Sequence, residues 1–257
     1  MPRPYGSFWW YELMTTDLPA AQRFYDAVIG WKSQKVDQPG GAYSLFMNGD
    51  TPAAGALPLL ERGHQGPAGN LWIGYIDVPD VDAFTGKVTA AGGTIHRQPE
   101  DIPGIGRFAV TADPHGALFV LFTPAPGSPP AAPEGQPGLI GWRELMAGDL
   151  ETEWKFYTDL FGWTVVQEIP MGPMGVYRLF STGGAGPAGG MMTKPLQTEQ
   201  PHWRYVFQVE SVTAAAPKIT AAGGAVLSAP QQVPNGQWVL QASDPQGGFF
   251  SLVSSSP

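Results

Sequence analysis

The stretch WWYELMTTDLPAAQRFYDAVIGW, Trp9–Trp31, recurs later in the chain as GWRELMAGDLETEWKFYTDLFGW, Gly141–Trp163. A tryptophan, a glutamate, an aspartate, a tyrosine and a Gly-Trp pair all repeat at one offset of 132 residues. Solenoid repeats are much shorter, about 20–50 residues, so this spacing indicates a duplicated domain. The sequence therefore predicts two copies of one module.

The similarity continues beyond this stretch. LWIGYIDVPDVDAFTGKVTAAGGTI, residues 71–95, corresponds to HWRYVFQVESVTAAAPKITAAGGAV, residues 202–226. An Asp-Pro-x-Gly sequence, typical of a type I turn, then follows in each copy at Asp113 and Asp244. The duplication thus extends over nearly the whole chain.

A segment rich in Pro, Ala and Gly, PAPGSPPAAPEGQPG, separates the two copies and shows no periodicity. Such a composition is typical of a semi-extended linker. We therefore expect a first module over residues 1–123, a linker over 124–138 and a second module over 139–257.

Composition limits the class of protein. Apolar residues make up 43% of the 257 residues and charged residues only 14%, which is typical of a globular protein. The net charge of −8 argues against nucleic acids and anionic membranes as partners. No cysteine is present, which excludes disulfides and thiolate metal ligands. No apolar run approaches the ~18 residues of a membrane span, so we expect a cytoplasmic protein.

Each copy shows the same order of predicted elements. An aromatic strand over about residues 8–14 is followed by Asp17 at the position of a helix N-cap. Gly30 has the position of the C-cap of that helix, and three strands follow before the pattern starts again. The chain therefore holds four βαβββ units, two in each module.

The ordered motifs Trp-x-Glu-Leu-x-x-x-Asp, Phe-Tyr, Gly-Trp, Ala-Gly-Gly and Asp-Pro-x-Gly resemble the vicinal oxygen chelate superfamily. This superfamily includes glyoxalase I, bleomycin-resistance proteins and extradiol dioxygenases. The chain resembles in particular a tandem-module branch with actinobacterial antigen-like and hydroxylase-labelled proteins. The resemblance implies an α+β fold, in which the four units form concave, U-shaped sheets with the helices on the convex face.

The resemblance also implies where a divalent metal would be bound. Enzymes of the superfamily hold the metal with His and Glu at defined strand positions, two ligands from each of two units. The corresponding residues here are Trp10, Ile73 and Val120 in the first copy and Trp142, Arg204 and Ser251 in the second. None of these is a good ligand for a divalent ion. The histidines, His64, His96, His115 and His202, do not cluster in sequence. We therefore predict no cofactor.

One glutamate on the first strand of each copy is the main candidate for chemistry. Strand side chains alternate between faces, so Glu12 and Glu144 are expected on the concave face. A carboxylate on an apolar, aromatic face loses water, which raises its pKa and suits it to general acid or base catalysis. Alternatively, the carboxylate accepts hydrogen bonds from a Tyr or Trp of a neighbouring strand, or pairs with Arg143 or Arg204, and braces the module.

The same alternation predicts the rest of a ligand-binding face. Trp72 and Trp203 are expected on the opposite, helix-covered face, where they would pack in the core. The predicted ligand-binding residues are Trp10, Trp142, Met14, Met146, Tyr75, Ile73, His202, Arg204, Val120 and Ser251.

Three functions are compatible with these features. The first is a metal-free protein that binds an apolar or aromatic small molecule, for which an acidic face would favour a cation. The second is a glyoxalase-like lyase or an oxygenase with an atypical metal site built on Glu12, Glu144 and His202. The third is a non-catalytic interaction protein. Because one chain supplies both modules, we expect a monomer.

Overall fold

The structure, a computed structural model, describes residues 5–36, 42–59, 70–195 and 200–257. The first repeat contains β1 (Phe8–Thr15), α1 (Leu18–Ile29), β2 (Lys32–Val36), β3 (Tyr43–Asn48), β4 (Thr51–Pro58), β5 (Leu71–Asp77), α2 (Val81–Ala90), β6 (Thr94–Ile102), β7 (Gly106–Ala112) and β8 (Leu118–Pro124). The second contains β9 (Ile140–Ala147), α3 (Leu150–Phe161), β10 (Thr164–Pro170), β11 (Val176–Ser181), β12 (Gly189–Thr193), β13 (His202–Gln208), α4 (Val212–Ala221), β14 (Ala225–Gln232), β15 (Trp238–Ser243) and β16 (Phe249–Ser254).

Each repeat forms one eight-stranded mixed sheet. The strand order is β2-β3-β4-β1-β5-β8-β7-β6 in the first and β10-β11-β12-β9-β13-β16-β15-β14 in the second. Strand β1 is parallel to β4 and β5 is parallel to β8, whereas the outer strands pair antiparallel. The predicted α+β fold of two tandem modules is confirmed. Among the described residues, no helix has the length and apolar character needed to cross a membrane.

The first helix of each repeat begins and ends at the predicted residues. The Asp17 carboxylate accepts a hydrogen bond from the Ala20 N–H, and Gly30 ends α1 in the left-handed region at φ 93°. In the second repeat, Asp149 and Gly162 cap α3 in the same way. Each carboxylate satisfies an N–H at the start of the helix, and each glycine adopts the positive φ without a steric penalty.

Contacts divide the described residues into two compact units that differ from the two sequence repeats. Unit I contains the described residues within 5–10, 73–131 and 143–203, and unit II contains those within 11–72, 132–142 and 204–257. Each unit therefore combines parts of both repeats.

The repeated Gly-Trp motif forms the core of each unit. In unit I, the Trp163 ring stacks on Phe180, with centroids 4.4 Å apart, and its Nε1 donates to the Gly6 carbonyl over 2.7 Å. In unit II, Trp31 stacks on Phe46 at 5.1 Å and donates to the Gly138 carbonyl over 2.6 Å. Each indole thus binds a backbone carbonyl from the other repeat.

A second repeated contact links a tryptophan, a tyrosine and an aspartate. In unit II, Trp72 Nε1 donates to the Tyr25 hydroxyl over 2.8 Å, and this hydroxyl donates to Asp244 Oδ2 over 3.1 Å. In unit I, the corresponding bonds join Trp203 to Tyr157 and Tyr157 to Asp113. Trp72 and Trp203 are buried in the core, as the strand alternation predicts.

Candidate functional site

The predicted site residues lie on six strands. Those in unit I are Trp10 on β1, Ile73 and Tyr75 on β5, Val120 on β8, Glu144 and Met146 on β9, and His202 on β13. Those in unit II are Glu12 and Met14 on β1, Trp142 on β9, Arg204 on β13, and Ser251 on β16. Within unit I, Tyr75 and Val120 are directly paired across β5 and β8.

Glu144 is held by a tyrosine that the sequence analysis does not single out. The hydroxyl of Tyr177 on β11 donates to Glu144 Oε1 over 2.9 Å. Strand β12 lies between β9 and β11, and Gly190 of this strand is paired with Glu144. A Cβ at position 190 would lie 2.2 Å from Cζ and 2.3 Å from Oη of Tyr177. The tyrosine side chain therefore crosses β12 in the space that the glycine leaves.

The first repeat shows the same arrangement. Gly55 on β4 is paired with Glu12. A Cβ at position 55 would lie 2.1 Å from the hydroxyl of Tyr43 and 3.1 Å from Cγ of Glu12. Each unit thus contains a tyrosine that crosses a glycine beside a strand glutamate.

The two Glu-Tyr pairs have apolar neighbours on their own strands. Met14 and Met146, two residues after each glutamate, are both buried. Glu12 is buried as well, whereas Glu144 is half-buried. Each pair therefore places a carboxylate and a tyrosine hydroxyl beside apolar side chains of the same sheet.

Sequence alternation also misses an aromatic cluster in unit I. The Trp9 ring lies 6.2 Å from Phe122, and Phe122 lies 5.8 Å from Tyr75. Phe8 packs on Trp203 instead, in the core. Trp9 therefore lies in one cluster with the predicted ligand-binding residue Tyr75. Strand alternation predicts Trp10 on that face and not Trp9.

The two arginines considered as partners of the glutamates are both buried. Arg143 Nη1 donates to the Ala188 carbonyl over 3.0 Å, and its guanidinium lies 5.1 Å from the centroid of the Phe8 ring. These contacts place Arg143 in the core of unit I. Arg204 lies on β13, two residues before Val206, which pairs with Ser251.

A match to a known protein family shows where this chain belongs. The family described as Glyoxalase/Bleomycin resistance protein/Dioxygenase superfamily matches residues 8–121 and 139–251. The chain belongs to this superfamily. Two matches in one chain agree with the two sheets and with the repeats of the sequence.

Two members of the superfamily are similar in sequence to this chain over almost its whole length. The "Putative glyoxylase CFP32" of Mycobacterium bovis is 34% identical over 96% of this chain and 94% of its own length. The "Anthracycline biosynthesis protein DauV" of Streptomyces sp. (strain C5) is 32% identical over 95% of this chain and 91% of its own. The sequence similarity is therefore not confined to one repeat.

Solved structures of the superfamily share the fold. The Mn(II)-bound glyoxalase from Novosphingobium aromaticivorans has a TM-score of 0.67 at 18% identity, covering 98% of this chain and 83% of its own. The 2,3-dioxygenase LapB from Pseudomonas sp. KL28 has a TM-score of 0.66 at 17% identity, covering 98% and 93%. At these identities the similarity concerns the fold alone.

The residues present do not fit the metal that such enzymes of the superfamily hold. In the part of the chain that the structure describes, no three His, Cys, Asp or Glu side chains are grouped so that they could hold a metal ion. Ser251 is buried, and its hydroxyl has no hydrogen-bond partner among the described residues. His202 Nδ1 bonds to the Gln200 carbonyl at 2.9 Å, and His64 lies outside the described residues. We derive no reaction step through a metal.

Proposed function

We propose that the protein binds an aromatic small molecule without a metal ion, on the strand faces that carry Glu12 and Glu144. The observation that carries the proposal is the hydrogen bond from Tyr177 to Glu144 across Gly190. A ligand site typically combines apolar walls with a few fixed polar groups. The Glu-Tyr pairs provide such polar groups, and the buried methionines beside them provide apolar surface.

The aromatic character of the ligand is supported by the cluster in unit I. Phe122 packs against both Trp9 and Tyr75, at centroid distances typical of aromatic pairs. The DauV protein is named for anthracycline biosynthesis, and an anthracycline is a planar polycyclic aromatic compound. We therefore propose a fused-ring aromatic ligand whose O–H or N–H group donates to a glutamate.

Binding is a better proposal than metal-dependent lyase or dioxygenase chemistry. The six superfamily ligand positions hold Trp, Ile, Val, Arg and Ser, which are poor ligands for a divalent ion. We also propose that the protein is cytoplasmic, and that it is a monomer because one chain supplies both repeats. Sedimentation should give a mass near 27.4 kDa, and a mass twice as large would contradict the monomer.

Titration with an anthracycline tests the proposal. In the presence of EDTA, we expect saturable quenching of tryptophan fluorescence. Tyr177→Phe removes one hydrogen bond to Glu144, and Glu144→Gln removes the charge. Each should weaken binding by roughly tenfold, which corresponds to about 1.4 kcal/mol. Asp159→Asn, which removes the same charge at an exposed site of α3, is the matched control and should leave the affinity unchanged.

Metal analysis of the purified protein gives the opposing outcome. A stoichiometric divalent ion that is lost in Glu12→Ala or Glu144→Ala would replace the binding proposal with an atypical metal site. Absence of saturable quenching, in wild type and variants alike, would likewise contradict it.

A further inference from the structure

Two carboxyl groups are buried side by side in unit I, away from the proposed ligand-binding face. Asp113 begins the Asp-Pro-x-Gly turn between β7 and β8 and is 1% exposed. Glu153 lies in the first turns of α3, and its side chain is completely buried. The proposed function uses neither group.

Both oxygens of Asp113 are engaged. Oδ1 accepts hydrogen bonds from the N–H groups of His115 and Ala117, at 3.1 and 2.8 Å. Oδ2 accepts a hydrogen bond from the Tyr157 hydroxyl at 3.3 Å. Asp113 therefore both shapes the turn and attaches it to α3.

Only one of the two carboxylate oxygens of Glu153 has a hydrogen-bond partner among the described residues. Its Oε1 forms a hydrogen bond with Nδ1 of His115, whereas its buried Oε2 has no partner among the described residues. A buried carboxylate oxygen without a donor is costly when the group is ionised, so burial favours the protonated form. Burial raises the pKa of Glu153 to about 7. Burial and the neighbouring Glu153 raise the pKa of Asp113 well above its usual range.

The corresponding turn in unit II lacks the second acid. Asp244 Oδ1 accepts from the N–H groups of Gln246 and Gly248, both at 2.9 Å, and Oδ2 accepts from Tyr25. The sequence repeat places Ala21 where unit I has Glu153, and Gln246 where it has His115. The turn and its attachment to a helix therefore do not require an acid pair, and the pair is an addition in unit I.

The other charged groups around the pair are few. Asp149 caps α3 one turn before Glu153 and faces His115, whose side chain is 37% exposed. Tyr157 follows one turn later and receives a hydrogen bond from Trp203 on β13. A Cβ at Gly148 would lie 2.4 Å from the His115 ring, so the imidazole packs directly against the backbone there. His115 thus connects the buried pair with solvent.

We infer that Asp113 and Glu153 together retain a proton when the turn at residues 113–117 is closed on α3, and that loss of this proton releases the turn. Deprotonation of Glu153 places a negative charge in a buried site, next to Asp113 and with no donor to Oε2 among the described residues. Opening the turn hydrates both carboxylates and removes this penalty. The proton leaves for solvent, the hydrogen bonds to Asp113 are exchanged for bonds to water, and no other covalent bond changes. Unit I therefore has a second buried acid at this contact that unit II lacks.

Amide hydrogen exchange of the full-length protein tests the inference. The Ala117 N–H reports the Asp113 bond, and the Gly248 N–H reports its counterpart in unit II. Between about pH 6 and about pH 8 we expect the protection factor at Ala117 to fall by roughly tenfold. The protection factor at Gly248 should change much less over the same pH range. In Glu153→Gln, a neutral group of the same shape, the protection of Ala117 should depend on pH much less than in the wild type, because only the Asp113 carboxyl remains.

A carboxyl ¹³C titration provides a second readout. The Glu153 signal, assigned by its absence in Glu153→Gln, should titrate near neutral pH. The inference is overturned if Ala117 protection is constant over this range in the wild type, or if the same pH dependence persists in Glu153→Gln. It is also overturned if Glu153 titrates at the pH of an ordinary glutamate.

Discussion

The hydroxyl of Tyr177 lies 2.3 Å from the point where a side chain at Gly190 would begin. A contact under 3 Å cannot be accommodated without movement, so Gly190→Ala should displace Tyr177 from Glu144. We expect a loss of about 1–3 kcal/mol in the free energy of unfolding and roughly tenfold weaker anthracycline binding. Urea denaturation and fluorescence titration measure the two effects.

Gly184→Ala is the matched control for this substitution. Gly184 lies in the connection between β11 and β12, six residues before Gly190, with open space where its Cβ would be. Its replacement should change neither stability nor affinity measurably. Equal effects at the two glycines would show that the space over Gly190 is not required.

The Tyr25 hydroxyl joins Trp72 to Asp244 in the core of unit II. Tyr25→Phe leaves an indole N–H and a carboxylate oxygen without this partner. Because unsatisfied buried polar groups are costly, we expect a loss of about 1–3 kcal/mol in urea denaturation. Tyr5→Phe removes a hydroxyl from an exposed tyrosine and should cost less than about 0.5 kcal/mol. Similar losses in both variants would contradict a structural role of the bridge.

Stability should depend on pH through Glu153. Its pKa is about 7 in the folded protein and 4.5 as an ordinary glutamate. Between these values the folded state binds a proton that the unfolded state does not, so stability falls as pH rises through this window. The loss amounts to at most about 3 kcal/mol. Denaturation of the wild type and Glu153→Gln from about pH 4 to about pH 8 should show a larger loss in the wild type, because the raised pKa values of Asp113 and Asp244 contribute in both proteins. If the stability of the two proteins changed in parallel with pH, a contribution of Glu153 would be excluded.

Helix α3 should depend on its N-cap. Asp149 Oδ1 accepts bonds from the Thr152 N–H and hydroxyl, at 2.9 and 2.7 Å. Asp149→Ala should therefore lower the free energy of unfolding by about 1 kcal/mol. Asp149→Asn should retain most of the stabilisation by the N-cap, because asparagine is also a good N-cap residue. The exposed Asp159 pairs with Lys155, so Asp159→Ala should cost only about 0.3–0.5 kcal/mol. An alanine effect at Asp149 no larger than that at Asp159 would contradict the cap.

Local signals in the sequence predict the fold well. Asp17, Gly30 and their counterparts define helix ends because caps act within a few residues. The alternation that places Trp72 in the core also depends only on neighbouring residues. By contrast, the bond from Trp31 to Gly138 joins distant segments, and no short-range pattern indicates it.

The site was only partly predictable for related reasons. Tyr177 reaches Glu144 across Gly190 on the intervening strand β12. Predicting this contact requires the strand order, which the sequence does not show directly. The recurrence of Tyr177 as Tyr43 was a usable signal in the sequence. His115 in the Asp-Pro-x-Gly turn bonds to the buried Glu153, and no pattern within the turn indicates this contact. Glu153 lies three and four residues before the buried Phe156 and Tyr157, so helical periodicity could have indicated its burial.

Each compact unit takes residues from both repeats, and this has a consequence for dissection of the chain. A cut in the linker would leave fragments 1–123 and 139–257 each with only part of either core. Trp31 would lose the Gly138 carbonyl, and Trp163 would lose that of Gly6. Such fragments should be poorly folded separately and should reassemble when mixed, so the chain would behave as a complementation pair rather than as two independent domains.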